Sequence, residues 1–265
     1  MRRFLASPNR TRFALAQAVV ADPGTAYHYS DITADITTGI LEYASNRSAL
    51  ELAEEALFRP MDFRNYEWMH QDRTGIDSGS YGLRLRAIDL QKLGILYLQR
   101  GVWDGRRLLS SDWTERSFSP YIRTSKTAAQ PDFGWSWRMT DYGTRTSRDA
   151  APGARSWVAH MSTGWKGQRI AVFPDQAIVV TMTGYLEPPE DEAVVFRRVV
   201  RDHVIPSLEG TGAAPPRPDP AQRGPLRELL ERARSGPMPA NMVDHPDAVP
   251  SVRPKGKPHH RFHRD

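Results

Sequence analysis

The amino-acid sequence predicts an α+β fold in which a helical part precedes an antiparallel sheet closed by a final helix. Three observations lead there. Apolar residues recur at helical spacing before about residue 120, the period changes to strand-like segments between residues 133 and 183, and helical spacing returns over Val195, Phe196, Val199, Val200 and Val204. Helices first, hairpin-linked strands next and a packing helix last exclude a regular βαβ alternation.

Each element has its own signal. Ile32, Ile36, Ile40 and Tyr43 predict a helix of about four turns, with Ser30 or Asp31 as N-cap and Asn46 near its end. Ser48 caps a second helix through Leu52, Ala53 and Leu57, stopped by Pro60. Leu90, Leu93 and Tyr97 mark a third that ends near Gly101, and Ser110-Ser111-Asp112 starts a fourth toward Phe118. Phe133, Trp135, Trp137 and Met139 then alternate, as do Trp157, Ala159 and Met161. Strands at 168–173 and 177–183 follow, joined by a turn at Pro174-Asp175.

Composition divides the chain. Of the 21 prolines, twelve lie at or after Pro206, and residues 210–220 are rich in Pro, Ala and Gly with no apolar period, as in a linker. Residues 1–206 are expected to form the folded domain, helical over about 1–120 and sheet over about 130–206. Residues 207–265 are expected to be a mostly disordered basic tail, with one short helix at about 225–235 built on Leu226, Leu229, Leu230 and Ala233. Of the net charge of +5, +4 comes from residues 251–265, where Arg253, Lys255, Lys257, Arg261 and Arg264 face Asp265 alone. No basic groove with interleaved aromatics accompanies it, so nucleic-acid binding is not expected. His259, His260 and His263 lack a preorganised carboxylate or thiolate partner, and neither a metal nor a cofactor is expected. No apolar run approaches the roughly 18 residues that span a bilayer. No signal peptide is visible, which points to the cytoplasm by default unless the true N-terminus lies upstream. With no cysteine, disulfides and a cysteine nucleophile are excluded.

Three segments carry candidate chemistry. In Pro23-Gly24-Thr25-Ala26-Tyr27-His28-Tyr29-Ser30-Asp31, a turn runs into a helix start, whose positive end favours a phenolate at Tyr29. Such a tyrosine acts as a general base where a cation lies nearby; alone, the segment reads rather as a tyrosine packed at a helix start with its hydroxyl on a backbone carbonyl, and His28 as a packed histidine. Ser162-Thr163-Gly164-Trp165-Lys166-Gly167-Gln168 precedes a strand, and its small residues let a ligand approach an edge where the Trp165 N–H donates to an oxyanion. The bland reading is a glycine hairpin turn. Ser78-Gly79-Ser80-Tyr81-Gly82-Leu83 reads by itself as a loop and cap.

Taken in order, these segments resemble one family. Pro-Gly-Thr-x-Tyr-x-Tyr-Ser-Asp from Pro23 is followed by Leu57-Phe58-Arg59-Pro60-Met61, by Gly79-Ser80-Tyr81-Gly82-Leu83 with Ala87-Ile88-Asp89-Leu90, and by Gly101-Val102-Trp103-Asp104-Gly105-Arg106. Gly164-x-x-Gly167-Gln168-Arg169-Ile170 with Pro174-Asp175 completes the set. The chain is similar, over about residues 4–204, to the β-lactamase-related serine hydrolases: class C β-lactamases, D,D-peptidases, esterases and 6-aminohexanoate-dimer hydrolases. The resemblance implies a β-lactamase/transpeptidase-like fold and an acyl-enzyme mechanism. In it, a serine of Ser-x-x-Lys attacks a carbonyl, the lysine and a motif tyrosine shuttle protons, and a strand-edge amide holds the oxyanion. By motif match Tyr29 is that tyrosine, with Asp31 where the family often has asparagine and Ser162-Thr163-Gly164 where many members have Lys-Thr-Gly. An ionised Asp31 accepts but cannot donate. Ser162 removes a cation that would pair with a β-lactam carboxylate, so small-molecule esters or small amides are the expected substrates rather than penicillins.

The nucleophile is missing from the expected pattern. The residues three before Lys92, Lys126, Lys166, Lys255 and Lys257 are Asp89, Arg123, Thr163, Val252 and Pro254, none of them serine. Thr163-Gly164-Trp165-Lys166 has the spacing but sits at a glycine turn. Only 28 residues precede Tyr29, so the family's N-terminal third, with its nucleophile helix and first strands, is expected to be absent. His160-Met161-Ser162-Thr163-Gly164 distantly resembles a nucleophile elbow, but the elbow needs a small residue at position 160 and βαβ surroundings. Two readings follow: a serine hydrolase whose nucleophile lies outside this chain, or a non-catalytic module of the same fold that binds a ligand or partner. No feature indicates the oligomeric state.

Overall fold

A computed structural model describes residues 2–27, 29–122, 137–142, 157–186 and 192–209. The elements run α1 (Arg2–Leu5), α2 (Arg10–Leu15), α3 (Asp31–Ser45), α4 (Ala49–Ala53) with a π-helical extension (Glu54–Phe58), β1 (Glu67–Trp68), β2 (Leu83–Arg84), α5 (Ala87–Leu98), β3 (Val102–Trp103), β4 (Arg106–Arg107) and α6 (Ser111–Phe118). Then come β5 (Arg138–Asp141), β6 (Val158–Thr163), β7 (Arg169–Phe173), β8 (Ile178–Met182), α7 (Glu192–Arg198), a π-helical stretch (Val199–Val204) and α8 (Ile205–Glu209). Helices thus precede a four-stranded antiparallel sheet in the order β5-β6-β7-β8, as the α+β expectation requires. The expected strand start at Phe133 and Trp135, His28, and the tail from residue 210 with its helix at about 225–235 lie outside the described residues, while α8 carries the helical run across the expected boundary at 206 to Glu209.

Local signals explain the boundaries. Ser48 and Glu51 make a reciprocal capping box at α4, and the Ser110 hydroxyl accepts from the Trp113 N–H at α6. Asn46 ends α3 in the left-handed conformation (φ 53°) that asparagine tolerates. The sheet has a core on each face. Trp157, Ala159, Met161, Ala171 and Phe173 meet Phe196, Val200 and Ile205 on one side. On the other side, Trp137, Ile170 and Val172 meet Leu90, Leu93 and Tyr97 around α5. Gly94 brings α5 close to the sheet: a Cβ there would lie 2.5 Å from the Val179 side chain. A third core, of Leu50, Phe58, Met61, Phe63 and Leu96, fills the helical part.

Helix α3 reverses the polarity that its apolar period suggests. Asp35, Thr38 and Gly39 are its buried residues, while Ile40 (58% exposed) and Tyr43 (70%) face outward. The buried face is polar because it binds loop backbone. Asp35 Oδ1 accepts from the Ser78 hydroxyl (3.1 Å), the Gly79 N–H (2.9 Å), the Ser80 N–H (3.1 Å) and the Ser80 hydroxyl (2.9 Å). Two turns on, Glu42 Oε1 accepts from the N–H groups of Ala49 (3.0 Å) and Asp77 (2.9 Å). Arg10, itself buried, lies 3.9 Å from Asp35 and donates to the Tyr81 hydroxyl, while its backbone N–H donates to Asp72. Burial pushes the Asp35 carboxyl up, against the downward pull of Ser80, Ser78, Gly79 and Arg10. A second buried carboxylate, Asp89, opens α5. Burial opposes its ionisation, but hydrogen bonds from Arg86 and Lys92 hold it below the usual range.

Two outcomes test this packing. Asp35→Ala, which removes the nearby counter-charge of Arg10 and the acceptor of four donors, is expected to lower stability in urea melts by about 3–5 kcal/mol, whereas Ile40→Ser changes it by less than about 0.5 kcal/mol. Burial pushes the Tyr142 phenol up to about 12. The folded chain therefore keeps a proton that the unfolded chain releases near pH 10, and stability falls as pH rises from about 10 toward 12. Denaturation midpoints across that range check it against Tyr142→Phe, which removes this contribution.

Candidate active site

The helix start at Asp31 carries the first group of site residues. Ser30 is the N-cap, extended at φ −152°, and Tyr29 precedes it on an extended run. Although 67% of Tyr29 is exposed, burial pushes its hydroxyl above the usual phenol range, and the Asp31 carboxylate, which accepts a hydrogen bond from it, pushes in the same direction. Arg138 pulls the other way. The expected lowering by the helix dipole is thus outweighed: Asp31, in the first turn, places a full negative charge beside the hydroxyl, where the helix end supplies only about half a positive one. Arg138 is thus the cation that acts on the Tyr29 hydroxyl, and sequence reasoning missed it.

Arg138 links this group to the second. It opens β5 and pairs in register with Met161 of β6, next to Ser162. Strand alternation fixes where the neighbours point. Ser162 pairs with Ile170, whose side chain packs on the α5 side, so the Ser162 side chain projects to that face, as does His160 opposite Val172. The His160 ring stacks on Phe118 with centroids 4.0 Å apart, and burial pushes its pKa down. Thr163 pairs with Arg169 and projects to the opposite face.

Beyond Thr163 the chain turns. The Gly164 N–H donates to the Gln168 carbonyl at 2.7 Å, and Trp165–Gly167 form one short helical turn in which Lys166 takes φ 57°. The turn is braced from outside. The Gln168 side chain donates to the Gly184 carbonyl at 2.6 Å, and the Leu186 N–H to the Lys166 carbonyl at 3.1 Å. The Lys166 ammonium lies 4.6 Å from the Trp165 ring and 3.5 Å from that of Tyr185. The hairpin reading of this segment is therefore the right local description, with an edge of small residues built into it. Thr163 ends a strand and Lys166 sits in a left-handed turn, so the two share no helical face. Ser162 lies within an antiparallel strand, which rules out the nucleophile elbow.

The segment Ser78-Gly79-Ser80-Tyr81, a plain loop by sequence, is fastened to α3 one turn from Asp31 through Asp35. Among the described residues no cluster of three or more His, Cys, Asp or Glu is placed to hold a metal ion, and no helix is long and apolar enough to cross a membrane.

This arrangement can be set beside known proteins. The family model for Beta-lactamase matches residues 6–205. The chain belongs to the beta-lactamase family. A solved Bacillus anthracis chain named "Putative 6-aminohexanoate-dimer hydrolase" is similar in fold, with TM-score 0.60 and 19% identity, over 74% of this chain and 48% of its own length. A solved Bacteroides dorei chain named "putative beta-lactamase" has TM-score 0.57 and 14% identity, over 75% of this chain and 64% of its own. This beta-lactamase-family chain therefore spans less than two thirds of either solved neighbour. No curated protein matches it.

The opposed charges at Tyr29 have a measurable consequence. Asp31→Asn is expected to lower the Tyr29 pKa and Arg138→Met to raise it, read by pH titration of the tyrosine Cζ signal in ¹³C NMR with Tyr29→Phe as the assignment control.

Proposed function

We propose that this chain carries the tyrosine and strand-edge half of a serine-hydrolase site acting on esters or small amides through an acyl-enzyme, with the nucleophile absent from its own sequence. The reading is supported by Tyr29 and Asp31 at the start of α3, with Arg138 of β5 acting on the Tyr29 hydroxyl from beside the C-terminal end of β6, in a chain of this family. In this reading a serine hydroxyl outside the chain adds to the substrate carbonyl, giving up its proton as the C–O bond forms. Tyr29 relays that proton to the leaving alcohol or amine as the scissile bond breaks, and water later releases the acyl group. The Trp165 N–H faces the tetrahedral oxyanion.

Asp31 and Ser162 shape the substrate class. Asp31 accepts the Tyr29 proton in a hydrogen bond and cannot donate to a substrate carbonyl, as an asparagine would. Ser162, a neutral hydroxyl on the α5 face, offers a carboxylate no ion pair. Both features favour uncharged esters and small amides over penicillins. The second reading, a non-catalytic module that binds a ligand or partner, is supported by the raised Tyr29 pKa and by the absence of a serine three residues before any lysine.

Incubation with p-nitrophenyl butyrate and a serine-directed phosphonate tests the proposal. The chain alone is expected neither to turn over the ester nor to be labelled, and turnover or labelling that disappears in Tyr29→Phe would refute the missing nucleophile. Fusion to a Ser-x-x-Lys segment from a longer family member is expected to give turnover that Tyr29→Phe lowers by about 100-fold or more. A well-folded fusion that binds the ester without turnover supports the binding module instead.

A further inference from the structure

Arg169 lies on β7 and is 5% exposed. A buried guanidinium is tolerated only where its donors are met. Here Nη1 donates to the Gly164 carbonyl at 2.7 Å and to the Gln168 carbonyl at 3.1 Å, and Nη2 lies 3.1 Å from Glu192 Oε1 at the start of α7. Neither carbonyl contact is part of the β-ladder, whose register sets Arg169 opposite Thr163. The side chain has reached past the end of the strand to hold the turn.

The carbonyl it holds matters because of its covalent neighbour. The Gly164 C=O and the Trp165 N–H belong to one planar trans peptide unit and point in opposite directions. Fixing the carbonyl fixes the N–H. Glycine has no Cβ to restrict rotation on its side of that unit, so without an external tie the plane would turn at little cost. The Gly164 N–H is itself tied to the Gln168 carbonyl at 2.7 Å, and the short helical turn that follows begins at this same peptide, so the Arg169 guanidinium adds a charged donor to a carbonyl that a single 3₁₀ turn holds only weakly. A charged donor on the carbonyl also polarises the whole peptide, which strengthens its N–H as a donor.

We infer that Arg169 is the positioning residue for the Trp165 backbone N–H, and that Glu192 keeps Arg169 in place, so that the final helix and the strand edge form one unit. The inference rests on the proposed reading of this edge as an oxyanion site. It assigns a role to two residues that touch neither substrate nor nucleophile, and it names what the corner receives: a tetrahedral anionic oxygen lying opposite the guanidinium across the peptide plane.

The test uses the full chain labelled with ¹⁵N at its seven tryptophans, few enough for the Trp165 amide to be assigned by substitution. Phenylphosphonate serves as the oxyanion probe. In Arg169→Met the Trp165 amide is expected to shift, to exchange with solvent about tenfold faster or more, and to lose about tenfold or more in apparent phenylphosphonate affinity, while the other tryptophan amides stay in place. Arg169→Lys, which reaches one carbonyl with a single charge, is expected to recover part of the loss, and Glu192→Gln to show a smaller change in the same direction. A Trp165 amide with unchanged shift, exchange and affinity in a folded Arg169→Met chain would overturn the inference. Should that variant not fold, the same unchanged result in both Arg169→Lys and Glu192→Gln overturns it. The two readings fail separately: no phenylphosphonate response at the wild-type Trp165 amide counts against the oxyanion site, while its shift and exchange in the variants still decide whether Arg169 sets its direction.

Discussion

The Asp35 carboxylate is the contact on which the helical half of this chain depends. One oxygen takes four hydrogen bonds from Ser78, Gly79 and Ser80, and the Arg10 guanidinium lies beside the other. Leaving water costs a carboxylate several kcal/mol, and the four donors on one oxygen with a guanidinium 3.9 Å from the other offset part of that cost. The arrangement is therefore cooperative. The loop cannot adopt its shape without α3, and α3 cannot bury this face without the loop. Glu42, seven residues on and so on the same face, repeats the device with the N–H groups of Ala49 and Asp77. Together the two carboxylates fix the axial position and rotation of α3, and with them the point where the helix begins and Asp31 is presented.

That division of labour explains what the sequence disclosed and what it concealed. The period of Ile32, Ile36, Ile40 and Tyr43 correctly announces a helix, yet it marks a face of which Ile40 and Tyr43 are largely exposed. Periodicity reports that a segment is helical; which side is buried depends on what lies opposite, and here that is loop backbone needing acceptors. The strands were legible because alternation over Trp157, Ala159 and Met161 and the Pro174-Asp175 turn are local signals. The two-residue hairpins β1–β2 and β3–β4 are too short for any period, and α1 and α2 lie in an arginine-rich stretch with little apolar pattern. The candidate site divides in the same way. Tyr29, Asp31 and Ser162-Thr163-Gly164 are readable as motifs because their spacing is local. Arg138, Arg169 and Glu192 are not, since an arginine acquires its role only from partners that the fold brings from a distance.

The turn after β6 shows why such distant partners are needed. Its conformation is expensive by itself: Lys166 is left-handed at φ 57°, a region costly for a residue with a Cβ. It is held by contacts from β7 through Arg169, from the segment after β8 through Gly184, Tyr185 and Leu186, and from α7 through Glu192. Convergence of three elements on five residues is the kind of over-determination that keeps a backbone amide in one orientation.

Electrostatics then decides how the proposed chemistry has to run. With Asp31 accepting from the Tyr29 hydroxyl and burial acting in the same sense, the phenol is neutral in the ground state. A neutral phenol cannot begin a reaction by removing a proton, but it can pass one on, donating from its hydroxyl as it accepts on its oxygen. Under the proposed reading the initial deprotonation therefore comes from whatever segment supplies the serine, and Arg138 lowers the cost of any negative charge that builds on the Tyr29 oxygen during the transfer. Under the proposed reading the two halves of the site are chemically unequal: one generates the nucleophile, and the half carried by this chain receives the proton and the oxyanion charge. That inequality is consistent with a strand edge fixed by buried arginine and a tyrosine held neutral by aspartate, since both features stabilise charge that arrives and neither produces a base.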